Sequence, residues 1–207
     1  MITEIDLHKY EKELNEQGYN LIVGVDEAGR GPLVGPVVAG AVILPIGYQL
    51  EGLTDSKKLT EKKRDIYFEQ LKKDAVAIGI GIVDEKKIDE INIYAASRLA
   101  MQLAIEDLGI KPDYILSDAM PLDIGIPCTS VIHGDALSIS IAAGSVIAKV
   151  TRDKMMYDLD LQYPEYEFRK HKGYPTKGHL AALQKYGPLK NYRFTYKPVR
   201  DLISKGE

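Results

Sequence analysis

The stretch Leu21-Ile-Val-Gly-Val-Asp-Glu-Ala-Gly-Arg-Gly31 decides the fold. Leu21 to Val25 is a short apolar run, the pattern of a buried strand. Two acids, Asp26 and Glu27, follow it directly, and Asp26 to Gly31 reads as a turn. Carboxylates beside a buried strand are costly unless they are paired or hold a cation. The arrangement recurs further along: Tyr114-Ile-Leu-Ser117 reads as a second buried strand and runs into Asp118. A third acid of this kind, Asp135, stands just before an apolar stretch that opens at Ser138. Neighbouring strands of one sheet bring their ends together, so Asp26, Glu27, Asp118 and Asp135 are candidates to converge on one point. Four crowded carboxylates repel one another, and divalent cations are the simple remedy. An all-oxygen donor set without Cys or His partners selects Mg²⁺ or Mn²⁺ over Zn²⁺. Taken singly, each aspartate has a blander use as the cap of a turn, a loop or a helix. The adjacent pair Asp26-Glu27 exceeds what a cap needs.

Working outward, residues 1–18 read as a short polar helix, and Val34 to Leu44 as a second strand ended by Pro45 and Gly47. Thr60 is placed to N-cap a helix running to about Lys73. Ala75 to Val83 is a third extended run, Asp84 to Leu108 has helical spacing up to Gly109, and Ser138 to Tyr163 reads as a helix whose first half is buried. A last helix is expected over Thr176 to Lys185, before Gly187-Pro188. Strands cluster first and then alternate with helices, which predicts an α/β domain with a mixed central sheet flanked by helices and a helical C-terminal region. Three parts are expected: a helical leader over 1–19, a catalytic domain over 20–165, and a basic region over 166–207 packed on it.

The 207 residues are 45% apolar and 28% charged, an ordinary globular composition. Apolar runs stay far below the ~18 residues of a membrane span, and the first residues lack the basic-then-apolar pattern of a secretion signal. The single cysteine, Cys128, forms no internal disulfide, which fits a reducing cytoplasm. The formal charge of −3 speaks, as a total, against a nucleic-acid partner. Its distribution speaks the other way. Arg169 to Lys205 holds ten Lys/Arg and one acid, a net +9, which leaves −12 for the rest. That asymmetry suggests an anionic partner, although a solvated helix face with a loose tail would also produce it. Lys57, Lys58, Lys149, Lys170, Lys172, Lys177, Lys185, Lys190, Arg193 and Lys197 are candidate phosphate contacts.

Other motifs fail. Gly173-Tyr-Pro-Thr-Lys-Gly178 has P-loop glycine spacing, but His179 and Leu180 stand where Lys and Ser/Thr are required. No zinc pattern or nucleophile elbow occurs. His171 and His179, eight apart, are poorly spaced for one metal on one helix, and His171 reads as a phosphate contact or as simply exposed.

Gly24-Val-Asp-Glu-Ala-Gly-Arg-Gly-Pro-Leu-Val-Gly-Pro36 resembles the first signature of ribonuclease HII, the type 2 ribonuclease H. Asp55-Ser-Lys-Lys-Leu59, Ser117-Asp-Ala119, Ala142 to Asp153 and His171-Lys-Gly-Tyr-Pro-Thr176 follow in the family's order, so the likeness spans roughly residues 20–200. The resemblance implies a ribonuclease H-like fold, with Asp26, Glu27, Asp118 and Asp135 holding two Mg²⁺ or Mn²⁺ ions. It implies that Gly29, Arg30, Gly31 and Tyr174 read a ribonucleotide's 2′-hydroxyl. Implied partners are RNA–DNA hybrid and ribonucleotide-containing duplex DNA, cut 5′ of a ribonucleotide to leave 3′-hydroxyl and 5′-phosphate ends by a monomer with no membrane contact. Two departures stand out. Gly144 replaces a more usual alanine and predicts tight helix packing, and Asn191-Tyr-Arg-Phe194 is a loose match that leaves the role of Arg193 open. Gly-Arg-Gly and the short leader favour this family over ribonuclease HIII. A silent hybrid-binding module and a resolvase- or transposase-type nuclease are the competing readings.

Overall fold

In the computed structural model, residues 6–53, 56 and 59–204 are described. A leader helix, α1 (Lys9–Glu16), precedes β1 (Ile22–Ala28) and β2 (Val37–Ile43). Then come α2 (Glu61–Asp74), β3 (Ala77–Val83), α3 (Glu85–Ile91), α4 (Ile93–Glu106), β4 (Tyr114–Asp118) and β5 (Cys128–Val131). The long α5 (Ile139–Gln162) leads to three shorter helices, α6 (Phe168–His171), α7 (Lys177–Tyr186) and α8 (Lys197–Ile203). The five strands form one mixed sheet in the order β3-β2-β1-β4-β5. β1 is antiparallel to β2 and parallel to β4, so the C-terminal ends of β1 and β4 lie side by side.

Strand alternation splits the core into two layers. Val23 and Val25 of β1, with Ala39 and Ala41 of β2, pack against Ala96, Ala100 and Ala104 of α4. On the opposite face, Val42 packs with Ala142, Val146 and Ile147 of α5 and Leu71 of α2. A separate cluster of Leu33, Met156, Phe168, Leu183, Tyr192 and Val199 joins the C-terminal helices to the end of α5. Among the described residues no helix is long and apolar enough to cross a membrane.

Helix α5 lies almost on the backbone of β1 and β2. A Cβ at Gly40 would stand 2.5 Å from the Gly144 carbonyl oxygen, and one at Gly144 2.6 Å from that of Gly40. Gly144 therefore gives up helix propensity for close approach, as its place in the sequence predicts. The anticipated Thr60 cap is present, its Oγ1 accepting from Lys63 N–H; at the expected start of α5, Ser138 is the N-cap, its Oγ accepting from Ile141 N–H.

Several expectations need correction. Asp26 and Glu27 are not in a turn; β1 continues through them because they pair with Gly40 and Ala39 of β2. The helix expected from Asp84 to Leu108 is two helices, broken at Asn92 (φ 69°), whose side chain caps α4 by accepting from the Tyr94 and Ala95 N–H groups. β5 and α8 were not anticipated. β2 starts at Val37, and Val34 instead makes an isolated bridge to Tyr192.

Candidate active site

Asp26 and Asp118 occupy successive places on the α5 side of the sheet, at the adjoining ends of β1 and β4. Asp135 enters from a short 3-10 turn, Gly134–Ala136, between β5 and α5. One carboxylate oxygen from each of Asp26, Asp118 and Asp135 lies within 4.8 Å of the others. The surroundings fix them: Asp118 Oδ1 accepts from Gly134 N–H at 2.7 Å, and Asp26 Oδ1 from Glu27 N–H at 2.6 Å. Burial, then the charges of Glu27 and Asp118, pushes the Asp26 carboxyl well above the usual carboxylate range; a hydrogen bond from Ser145 of α5 partly offsets this. All donors are oxygen, and the cluster suits a hard divalent ion that would remove the repulsion.

Glu27 is not one of the three. Its Oε1 pairs with Arg30 at 3.2 Å. Its Oε2 is buried and has no hydrogen-bond partner among the described residues. Burial raises its carboxyl, with Arg30 pulling the other way and Asp118 adding to the rise. A buried orphan oxygen close enough to Asp118 to feel its charge fits a cation ligand in waiting.

Beside the acids, Glu27, Arg30, Gly31, Lys149, Arg152 and Tyr174 line a cleft of ≈ 140 Å³. A Cβ on Gly31 would stand 3.2 Å from the ring of Tyr174, so a glycine lets that half-exposed ring lie against the loop. Gly29 is at φ 102°, and a Cβ there would strike the Arg152 side chain at 2.2 Å. Two buried arginines brace the loop from below. Arg152 donates to the carbonyls of Pro36, Val34 and Lys172, linking the chain after the loop to the chain just before Tyr174. Arg193 donates to the carbonyls of Gly29, Arg30 and Gly35. Tyr196 Oη adds a 2.8 Å bond to Arg30 O.

The ribonuclease HII family model matches residues 23–199. Ribonuclease HII of Bacillus subtilis (strain 168) is 56% identical over 196 residues, covering 95% of this chain and 77% of the relative. That of Bacillus pumilus is 56% identical over 199 residues, covering 96% and 78%. The chain belongs to the ribonuclease HII family. It is accordingly an endonuclease of the hydrolase class. In fold, it is similar to ribonuclease H2 of Pyrococcus horikoshii OT3 (TM-score 0.75, 28% identity, covering 89% of this chain and 97% of that one). A Bst ribonuclease HIII solved in complex with Mn²⁺ shares the fold at TM-score 0.65 and 14% identity, over 91% and 71% of the two chains.

The basic candidates of this ribonuclease HII scatter over different environments. Arg193 is not a surface contact: it is fully buried, because its guanidinium is consumed by carbonyls of the glycine loop. Lys149 lines the cleft but is tied to Asp153 at 2.7 Å, and Asp153 in turn faces Arg64 at 3.7 Å. Lys170 is exposed and pairs with Glu167; Lys172 lies 4.4 Å over the Tyr157 ring; Lys177 is exposed at the start of α7. Lys57 and Lys58 lie outside the described residues. His171 and His179 are neither exposed nor set for phosphate. Their rings stack at 4.3 Å beneath the Tyr174 segment. His179 bridges Tyr174 O and Tyr192 Oη, and burial pulls its pKa down to about 4.

Sequence reasoning missed Ser145 and Arg152 as parts of the site. Both lie in the Ala142–Asp153 block, seven residues apart and so on one face of α5. Polar groups along the buried stripe of an apolar helix were the available signal.

Proposed function

We propose that this chain hydrolyses the RNA strand of RNA–DNA hybrids and nicks duplex DNA 5′ of a single embedded ribonucleotide, leaving 3′-hydroxyl and 5′-phosphate ends. The observation that carries this reading is the Asp26/Asp118/Asp135 cluster, with Glu27, the residue after Asp26, lining one small cleft together with the glycine loop and Tyr174. Two Mg²⁺ or Mn²⁺ ions, when bound, supply an activated water and stabilise the departing 3′-oxygen.

The remaining work falls to the chain. Asp26, Glu27, Asp118 and Asp135 would hold the ions, with Asp26 as the shared ligand, Asp118 and Glu27 serving the leaving-group side and Asp135 the nucleophile side. Gly29, Arg30 and Gly31 meet the 2′-hydroxyl, the group that tells RNA from DNA. The half-exposed Tyr174 ring stacks on the sugar or base, and the brace beneath keeps loop and ring at a fixed spacing. Lys170, Lys172 and Lys177 lie on the basic C-terminal region, 166–207, and hold the duplex through sequence-independent phosphate contacts. Lys149 adds to them from the cleft side, and Lys57 is a further phosphate contact. The enzyme acts as a monomer in a reducing cytoplasm.

The test uses three labelled duplexes: all-DNA, DNA with one ribonucleotide, and RNA–DNA hybrid. Each is incubated in EDTA and then with Mn²⁺ or Mg²⁺. The expected products are a metal-dependent nick 5′ of the ribonucleotide and fragmentation of the RNA strand. All-DNA duplex cut as fast as the others, or no metal-dependent cut at all, contradicts the reading.

A further inference from the structure

The leader helix α1 lies outside the stretch matched by the family model, which begins at residue 23. Its Glu11 nevertheless reaches the N-terminus of α5. Glu11 Oε1 accepts from Ser138 Oγ at 2.6 Å and from Ser140 N–H at 3.1 Å. One turn earlier in the leader, Leu7 O accepts from Ile139 N–H at 2.9 Å. Ser138 is the N-cap of α5, and its Oγ accepts from Ile141 N–H. The first three N–H groups of α5 would otherwise be orphans. Two of them are thus satisfied by the leader, and the third by a serine whose hydroxyl the leader holds.

Ser138 also belongs to the turn that carries a metal-site acid. Its N–H closes on Gly134 O at 2.8 Å, alongside Leu137 N–H at 3.0 Å. Gly134 N–H in turn donates to Asp118 Oδ1. A continuous path therefore runs from Glu11 through Ser138 to the Gly134–Ala136 turn, reaching Asp135 and Asp118. Ser138 and Ser140 are buried, so water does not replace the carboxylate if it is removed. The Glu11 charge also sits at the positive end of the 24-residue α5, which strengthens both hydrogen bonds.

We infer that Glu11 is a positioning residue for the metal site: it fixes Ser138, and through it the turn that presents Asp135. This rests on the metal-site reading above. Leu14 docks α1 separately, in a cluster with Ile22, Leu116 and Ile141, so removal of the carboxylate leaves the leader an apolar anchor.

The experiment is calorimetric titration of Mn²⁺ into the full, metal-stripped chain, with thermal unfolding measured in parallel. Glu11→Ala is expected to weaken Mn²⁺ binding about tenfold at unchanged stoichiometry, the scale found when groups supporting a ligand are lost. Glu11→Gln, whose amide oxygen accepts the same two bonds, is expected to restore most of the affinity. Val199→Ala, in the distant C-terminal cluster, is expected to lower the Tm without changing Mn²⁺ affinity. Glu11→Ala that loses Tm yet binds Mn²⁺ like wild type overturns the inference alone. A wild-type chain that takes up no Mn²⁺ overturns the metal-site reading and the inference with it. Should Glu11→Ala fail to fold, Ser138→Ala carries the same test: weakened binding supports the link, and wild-type affinity overturns it.

Discussion

Two buried knots of like charge stand on either side of the Gly29–Gly31 loop, and they are built in opposite ways. The aspartate cluster at the ends of β1 and β4 crowds three carboxylates, with Glu27 close by, whose buried Oε2 has no hydrogen-bond partner among the described residues. The pair Arg152 and Arg193 carries two buried cations without an ion pair among the described residues. Their N–H groups are nonetheless spent on six different backbone carbonyls. A guanidinium has many donors in a fixed fork, so backbone oxygens, with the Tyr196 hydroxyl at Arg193, can take up its N–H groups. A carboxylate has only acceptors and cannot satisfy another carboxylate. The arginine knot is thus complete within the chain, whereas the aspartate knot calls for cations from outside. One holds the glycine loop in shape; the other is a crowded acid cluster suited to divalent cations.

The sharpest way to break that contrast is to neutralise one charge on each side. Asp26→Asn is expected to cut hybrid cleavage about a thousandfold, the upper range for losing a key electrostatic group, with duplex binding retained. In EDTA the same variant is expected to raise the Tm. The raised Asp26 carboxyl means that the folded state resists an ionisation the unfolded chain accepts, so this group costs stability above its unfolded pKa. A lower Tm in EDTA would contradict the contrast. Arg193→Met should do the reverse, costing about 3–5 kcal/mol in denaturant unfolding because it strands buried carbonyls of the glycine loop. An unchanged midpoint would show that the arginine knot is not structural.

A smaller effect is expected from His179. Its folded pKa of about 4 lies below the unfolded value, so the unfolded chain binds the extra proton first. Stability tied to this group is whole above about pH 6.5 and falls as pH drops toward about 4, by up to about 3 kcal/mol. His179→Gln should flatten that limb of the stability–pH curve, and an unaltered slope would contradict it. The smallest effect is at the surface. Lys177→Gln should lower the slope of log affinity for duplex against log salt by about 1, with little change in turnover under saturating substrate.

Much of this was legible in the sequence where local chemistry and tertiary role agree. Leu21–Val25 and Tyr114–Ser117 announced buried strands, and the acids that follow them announced the cluster. Thr60 and Ser138 announced helix starts. What stayed hidden depended on partners. β5 is four residues, mostly half-exposed, with no alternation to read. The break at Asn92 shows only when its side chain is seen capping the next helix. Reading Asp26-Glu27 as a turn concealed that β1 runs through both, paired with Gly40 and Ala39 of β2. Arg193 counted as one more positive charge in a basic segment, since nothing local tells a solvated arginine from one enclosed by carbonyls 158 and 164 residues away. The −3 total misled for a similar reason: it averages a −12 body that carries the aspartate cluster with a +9 C-terminal segment.

Anomalous scattering from Mn²⁺-soaked crystals tests the central claim most directly. The account predicts anomalous density bounded by the carboxylates of Asp26, Asp118 and Asp135, with Glu27 Oε2 turned toward it, and loss of that density in Asp26→Asn. Crystals that take up Mn²⁺ only elsewhere, or a peak that survives Asp26→Asn unchanged, would contradict it.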